Sequence, residues 1–233
     1  MLKLRGSSIR AKSFLAIGGT LVVLVMLGYI LTPGKPNIPP QKAIEQALQD
    51  TSRVESYEYT IRMTTLIDGK EQLSSSVKGE RQNRNRIHIK GQMFESEVDF
   101  YQIDSTTYTK DQLTGEWVKI TDNQLNQQEI FMGELNPLAS FSYKELYEAT
   151  FAGVEKVDGK KFWVYTAKPN IDNPYMEILW RDFNYKFWVE SRSLLIYKAE
   201  VTAVSKNNPA DKMSLLVQFS NYNGNIEITP PKV

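Results

Sequence analysis

Phe14 to Leu31, FLAIGGTLVVLVMLGYIL, runs eighteen residues without a charge, and as a helix rising about 1.5 Å per residue it would cross most of a bilayer core roughly 30 Å thick. The rival reading is a cleaved secretory signal, but signal cores are usually only about 7 to 15 residues long and end in a small-x-small site. Here Tyr29, Ile30, Leu31, Thr32 and Pro33 close the run instead. An uncleaved transmembrane anchor is therefore expected. Lys3, Arg5, Arg10 and Lys12 precede it with no acidic residue among them, whereas only Lys35 follows closely, so the retention of positive charge predicts a cytoplasmic N-terminus and an extracytoplasmic remainder. The expected plan is a basic tail (1–13), the anchor (14–31), a proline-rich linker (32–40) and one domain (41–233). A single-pass protein of the cell membrane is expected.

The chain has no cysteine, which excludes disulfides, thiolate metal sites, a thiol nucleophile and acylation of a lipobox cysteine. Taking the four tail cations from the net charge of +1 leaves about −3 for the rest, a balance that argues against nucleic acid as a partner. No glycine-rich phosphate loop or free acid pair is present, and no cofactor, metal or catalytic residue is expected.

Beyond the linker TPGKPNIPP, which its prolines keep extended, Pro40 can open a helix running through Gln41 to Thr51, with Ala43, Ile44, Ala47 and Leu48 on one face. From Ser56 the period becomes two. Tyr57, Tyr59, Ile61 and Met63 alternate with polar residues, the mark of a strand with one buried face. Asp68-Gly69 announces a hairpin. A three-residue Asp68-Gly69-Lys70 loop pairs Ile61 with Val77 and Tyr59 with Gly79, keeping the faces consistent and laying the Tyr59 ring over a bare glycine.

Arg86, His88 and Lys90 then face Glu95, Glu97 and Asp99 if a four-residue loop spans Gly91 to Phe94, pairing Lys90 with Glu95, His88 with Glu97 and Arg86 with Asp99, and Ile87 with Val98 on the other face. Such pairs set register and keep one face wet. His88, the only histidine, is expected in that surface role. Val98–Ile103, Thr106–Lys110 and Glu116–Ile120 continue as strands. Asn123 to Asn136 loses the alternation and suggests a short helix stopped by Pro137, and Ser142 with Glu145 makes a capping box for a second, carrying Phe141 and Leu146 on its apolar side.

Strands resume at Phe151–Val157, turn at Asp158-Gly159, and return through Lys161–Ala167, apolar on both faces and so covered twice. Asn173 to Asn184 fits a short helix or a strand. Tyr185–Val189 follows, then Leu195, Tyr197, Ala199, Val201 and Ala203 in alternation, and Met213, Leu215, Val217 and Phe219 likewise. Asn223-Gly224 predicts a last hairpin pairing Phe219 with Ile228.

The expected class is mainly β with α (α+β): a curled antiparallel sheet, an unclosed β-barrel of about 11–12 strands under a helical lid, plus the N-terminal transmembrane helix. From Ser56 to Pro230 the chain resembles the LolA-like envelope domains, which include the periplasmic lipoprotein carrier and the LppX and LprG type lipid-binding lipoproteins. The opening helix with SYEYTIRM, VKGERQNRNRIHIKG, DFYQIDSTTYTKDQLTGEWVKI, VDGKKFWVY and LLVQFSNYNGNIEITPP carry that resemblance. It implies a lipid or an acylated protein as ligand; the membrane span, standing where many relatives carry an acylated cysteine, is a departure from them that makes a tethered rather than a shuttling protein the expectation. The alternation itself assigns Tyr57, Tyr59, Ile61, Met63, Val77, Ile87, Leu195, Tyr197, Val201, Leu215, Val217 and Phe219 to a concave apolar face under a lid bearing Phe141 and Leu146. Either that face holds an acyl chain, or it fills a solid core and the domain is an interaction or sensor module for an envelope protein. An enzyme is not expected.

Overall fold

The computed structural model describes residues 36–111, 113–121 and 136–232. The apolar run Phe14–Leu31 lies outside them, as does the proposed helix at 123–136 apart from Asn136. Among the described residues no helix is long and apolar enough to cross a membrane.

Helix α1 (Pro40–Arg53) has proline in its first turn and ends at an extended Val54. Its buried positions are Ala43, Ile44, Ala47 and Thr51, one stripe at helical spacing, and Leu48 packs beside them. Among the described residues eleven antiparallel strands follow: β1 (Tyr57–Ile67), β2 (Lys70–Asn83), β3 (Arg86–Met93), β4 (Ser96–Ile103), β5 (Thr106–Lys110), β6 (Trp117–Thr121), β7 (Tyr143–Val157), β8 (Lys160–Ile171), β9 (Trp180–Val189), β10 (Ile196–Ser205) and β11 (Lys212–Ser220). A short helix α2 (Pro174–Leu179), capped by the Asn173 side chain accepting from Met176 N, precedes β9. The ambiguity at 173–184 is thus resolved as a helix followed by a strand.

The strands form one sheet in the order β6-β5-β4-β3-β2-β1-β11-β10-β9-β8-β7. Every neighbour is consecutive in the chain except β1 and β11, which meet mid-sheet with Tyr59 opposite Phe219 and Ile61 opposite Val217. β6 and β7 are its two edges, so the sheet is not closed. One face carries the main core and is covered by α1, which packs on β7, β8 and β10; we call it the concave face and its reverse the convex face.

Four expectations need correction. The β1–β2 register is the expected one, Ile61 with Val77 and Tyr59 with Gly79, but the turn is a two-residue Asp68-Gly69 with both φ positive, and a bulge at Met63/Thr64 restores the faces. The β3–β4 turn is likewise two residues, Phe94-Glu95, so Lys90 faces Asp99, His88 faces Tyr101 and Arg86 faces Ile103. The partners move by an even number of positions, which preserves the faces. The capping-box helix at Ser142 does not form: a 3-10 turn, Ala139–Phe141, leads directly into β7, where Leu146 lies on a strand. The last hairpin is absent too, because both edges of β11 are already paired, to β1 and β10. Ile226 and Ile228 instead join Tyr101, Ile103, Tyr108 and Trp117 in a small convex cluster, held by Gln82 Oε1 accepting from Ile228 N at 2.9 Å.

Candidate functional site: the concave apolar face

β1, β2, β10 and β11 place alternate side chains on the concave face. Tyr57, Tyr59, Ile61, Val77, Val201, Leu215, Val217 and Phe219 are all buried in one cluster together with Phe141 and Leu146. Met63, Ile87 and Leu195 are half-buried against it. Tyr197 is the exception: it stacks on Phe162 at 4.4 Å, in a convex cluster with Val164 and Trp188, and donates to Asp158 at 2.6 Å. The cause is a bulge between Ile196 and Lys198, which breaks the strict alternation and sends Ile196 into the core in place of Tyr197.

That bulge frees backbone groups inside the core, and side chains meet them. Ile196 N donates to Thr51 Oγ1 at 2.9 Å, and Tyr222 Oη donates to Ile196 O at 2.5 Å. Burial is the main reason the Tyr222 hydroxyl is held well above its ordinary pKa. The register of β10 is thus tied to the last turns of α1, linking the covering helix to the floor of the face.

Two aromatic groups occupy the face. Tyr57 meets Phe219 edge-on at 5.5 Å and Tyr222 at 6.0 Å, with the Arg81 guanidinium donating to Tyr57 Oη at 3.0 Å. The Tyr59 ring covers Gly79 so closely that a Cβ there would come within 2.0 Å of Tyr59 Cζ. The second group comprises Phe141, Tyr185 and Phe187, with centroids 5.4 to 5.7 Å apart. Tyr185 Oη donates to Ser142 O at 3.0 Å, fastening the 139–142 turn over the sheet, and burial raises its pKa.

Tyr165, fully buried beside Phe151 and opposite Phe187, differs from these tyrosines. Among the described residues its hydroxyl is the buried side-chain polar atom without a hydrogen-bond partner, and desolvation pushes its pKa up to about 12. Buried polar groups are nearly always paired, so this hydroxyl is a donor whose acceptor the described residues do not supply. Tyr165, Tyr185 and Phe187 are absent from the sequence-derived set. Their signals were the double-sided apolarity of β8 and the Tyr185, Phe187, Val189 alternation in β9.

On the convex face, His88 stacks on Tyr101 at 3.9 Å, with Nε2 3.0 Å from Asp99 Oδ1 and Nδ1 3.7 Å from Glu80 Oε2. This is the structural surface role expected of it, with Asp99 and Glu80 as its carboxylate neighbours in place of Glu97.

The structure of lipoprotein LppX from Mycobacterium tuberculosis is similar, with a TM-score of 0.55 at 16% identity over 82% of this chain and 98% of that one. LprF from Mycobacterium bovis gives 0.53 at 13% identity, over 85% and 99%. A looser match, TM-score 0.32 at 10% identity over 78% and 92%, is to the LolA superfamily protein NE2245 from Nitrosomonas europaea. No protein-family model matches the chain, and no curated protein matches it by sequence. The resemblance to the LppX type of domain therefore holds, at the level of fold alone.

Proposed function

We propose that the chain is a membrane-anchored extracytoplasmic binding protein that holds or transfers a lipid or acyl chain in the cell envelope and performs no chemistry on it. The observation that carries this reading is the buried, unpartnered Tyr165 hydroxyl on an apolar face covered by a helix. An acyl chain supplies the apolar bulk such a face accepts, and its ester or carboxyl oxygen supplies the missing acceptor. Each buried methylene contributes about 0.8 kcal/mol, so half of a typical acyl chain is enough for micromolar binding. The uncharged run Phe14–Leu31 and the cations before it support the anchor and its orientation.

The test is to purify the fragment from Pro40 onward, extract it into organic solvent and identify bound lipid by mass spectrometry, alongside titration with a fluorescent fatty acid. Co-purifying lipid and saturable binding are expected. The mutual packing of the Tyr57–Phe219–Tyr222 and Phe141–Tyr185–Phe187 rings favours the second reading, a filled core in a protein-interaction module, and absence of both lipid and fatty-acid binding would establish it. Orientation is tested separately. Protease added to spheroplasts should remove the domain beyond about Pro33, and protection equal to that of a cytoplasmic control would reverse the topology.

A further inference from the structure

The strands of the sheet run between two ends, and exposed apolar side chains collect at one of them. That end holds the β1–β2, β3–β4 and β10–β11 turns, the 111–116 loop and α2. Of the nine large apolar side chains that are exposed among the described residues, six are here: Ile67, Leu73, Phe94, Leu113, Ile178 and Leu179. The other three, Val118, Tyr147 and Val154, lie on the edge strands β6 and β7. The opposite end, with the turns at 84–85, 104–105, 158–159, 190–195 and 221–224, has none among the described residues.

The six are not incidental gaps in the core. Phe94 occupies a positive-φ turn position at φ 44, and Leu113 is 96% exposed. A polar residue would serve each position better in water, and apolar residues placed together at one end of a sheet mark a contact.

The chain enters the domain at this same end. Thr51, in the last turn of α1, bonds the first residue of β10 at the opposite end. Glu45, nearer the helix start, lies close enough to raise the pKa of Tyr143, after burial its main cause, and Tyr143 pairs with Ile171, the last residue of β8. α1 therefore begins at the apolar end, and only eight residues, 32–39, separate Pro40 from the uncharged run. Even fully extended, such a linker spans no more than about 29 Å.

We propose that this end of the domain rests on the lipid bilayer, with Ile67, Leu73, Phe94, Leu113, Ile178 and Leu179 entering its interfacial layer, so that the concave face is presented to the membrane that holds its ligand. The inference rests on the anchored, lipid-binding reading above. Asp68, Glu95, Asp111, Glu177 and Asp211 share these turns, so the contact is apolar rather than electrostatic, and it does not require anionic lipid.

Because the chain contains no cysteine, single environment-sensitive labels can be placed without removing any native residue. Full-length Phe94→Cys, Leu113→Cys and Ile178→Cys are labelled with a nitrobenzoxadiazole fluorophore and reconstituted into phosphatidylcholine vesicles, with Asn85→Cys and Arg192→Cys as labels for the opposite end. Blue-shifted emission and quenching by brominated acyl chains are expected at 94, 113 and 178 and not at 85 or 192, unchanged when phosphatidylglycerol is added. A protein that floats with the vesicles while all five labels stay equally wet retains its anchor and overturns the docking surface. A protein that fails to float removes both.

Discussion

Tyr165 is the residue whose behaviour separates stability from function. Replacing it with Phe deletes a buried donor without a protein partner, so the ligand-free domain should be unchanged or stabilised, since leaving such a group buried costs about 1 to 3 kcal/mol. Retention of lipid should fall. Urea midpoints of delipidated protein, read beside lipid recovery, check both halves; a marked loss of stability would mean the hydroxyl has a partner after all. Thr51 is the converse case, because its hydroxyl accepts the Ile196 amide inside the core. Thr51→Val preserves the shape and strands that amide, which should destabilise by about 1 to 3 kcal/mol in a denaturant titration.

At the scale of elements, what a change costs depends on which face of a strand it meets. Glu97 is exposed on β4, whereas Val98 packs against the core. Glu97→Lys should cost about 1 kcal/mol or less. Val98→Asp forces a carboxylate against apolar side chains and should cost about 2 to 4 kcal/mol. Equal destabilisation of the two in thermal melts would mean the faces are reversed. This contrast survives the corrected β3–β4 register because two-fold alternation carries the face regardless of which even-numbered partner is met. Face assignments were therefore legible in the residues, while the turn that fixes the partner was not: Phe94-Glu95 bears no Gly or Asn to announce two positive φ values. Tyr197 was lost for a related reason. A bulge adds one residue without any local signature, and only Thr51 and Tyr222, 145 residues before Ile196 and 26 after it, explain where it sits. The missing final hairpin shows the same limit: Asn223-Gly224 is a good turn, but β11 has no free edge to give it.

For the molecule as a whole, the core tyrosines set an alkaline limit. Burial, first among the causes, raises Tyr165 to about 12 and holds Tyr185 and Tyr222 higher still than their ordinary 10.0. The unfolded chain ionises near 10 while the folded chain keeps these hydroxyls neutral, so their stabilising effect is complete below about pH 10 and is lost as pH rises through the folded values. Urea midpoints should be level from pH 8 to about 9.5 and then decline. A decline already complete by pH 9 would assign it to other groups.

The β1–β11 seam also dictates the order in which the domain can form. All other strand pairs join neighbours in sequence, so β1–β6 and β7–β11 can each assemble as a run of local hairpins. The seam joins Glu58 to Ser220, and it cannot close until nearly the whole chain is available. Contacts of such long separation are slow to form. Until they do, each half exposes an unpaired edge, β1 on one and β11 on the other, in the middle of what will become the core. A chain synthesised from its N-terminus therefore presents the β1 edge first and holds it open until its own last strand arrives, and a truncation before Lys212 leaves that edge permanently available to another copy.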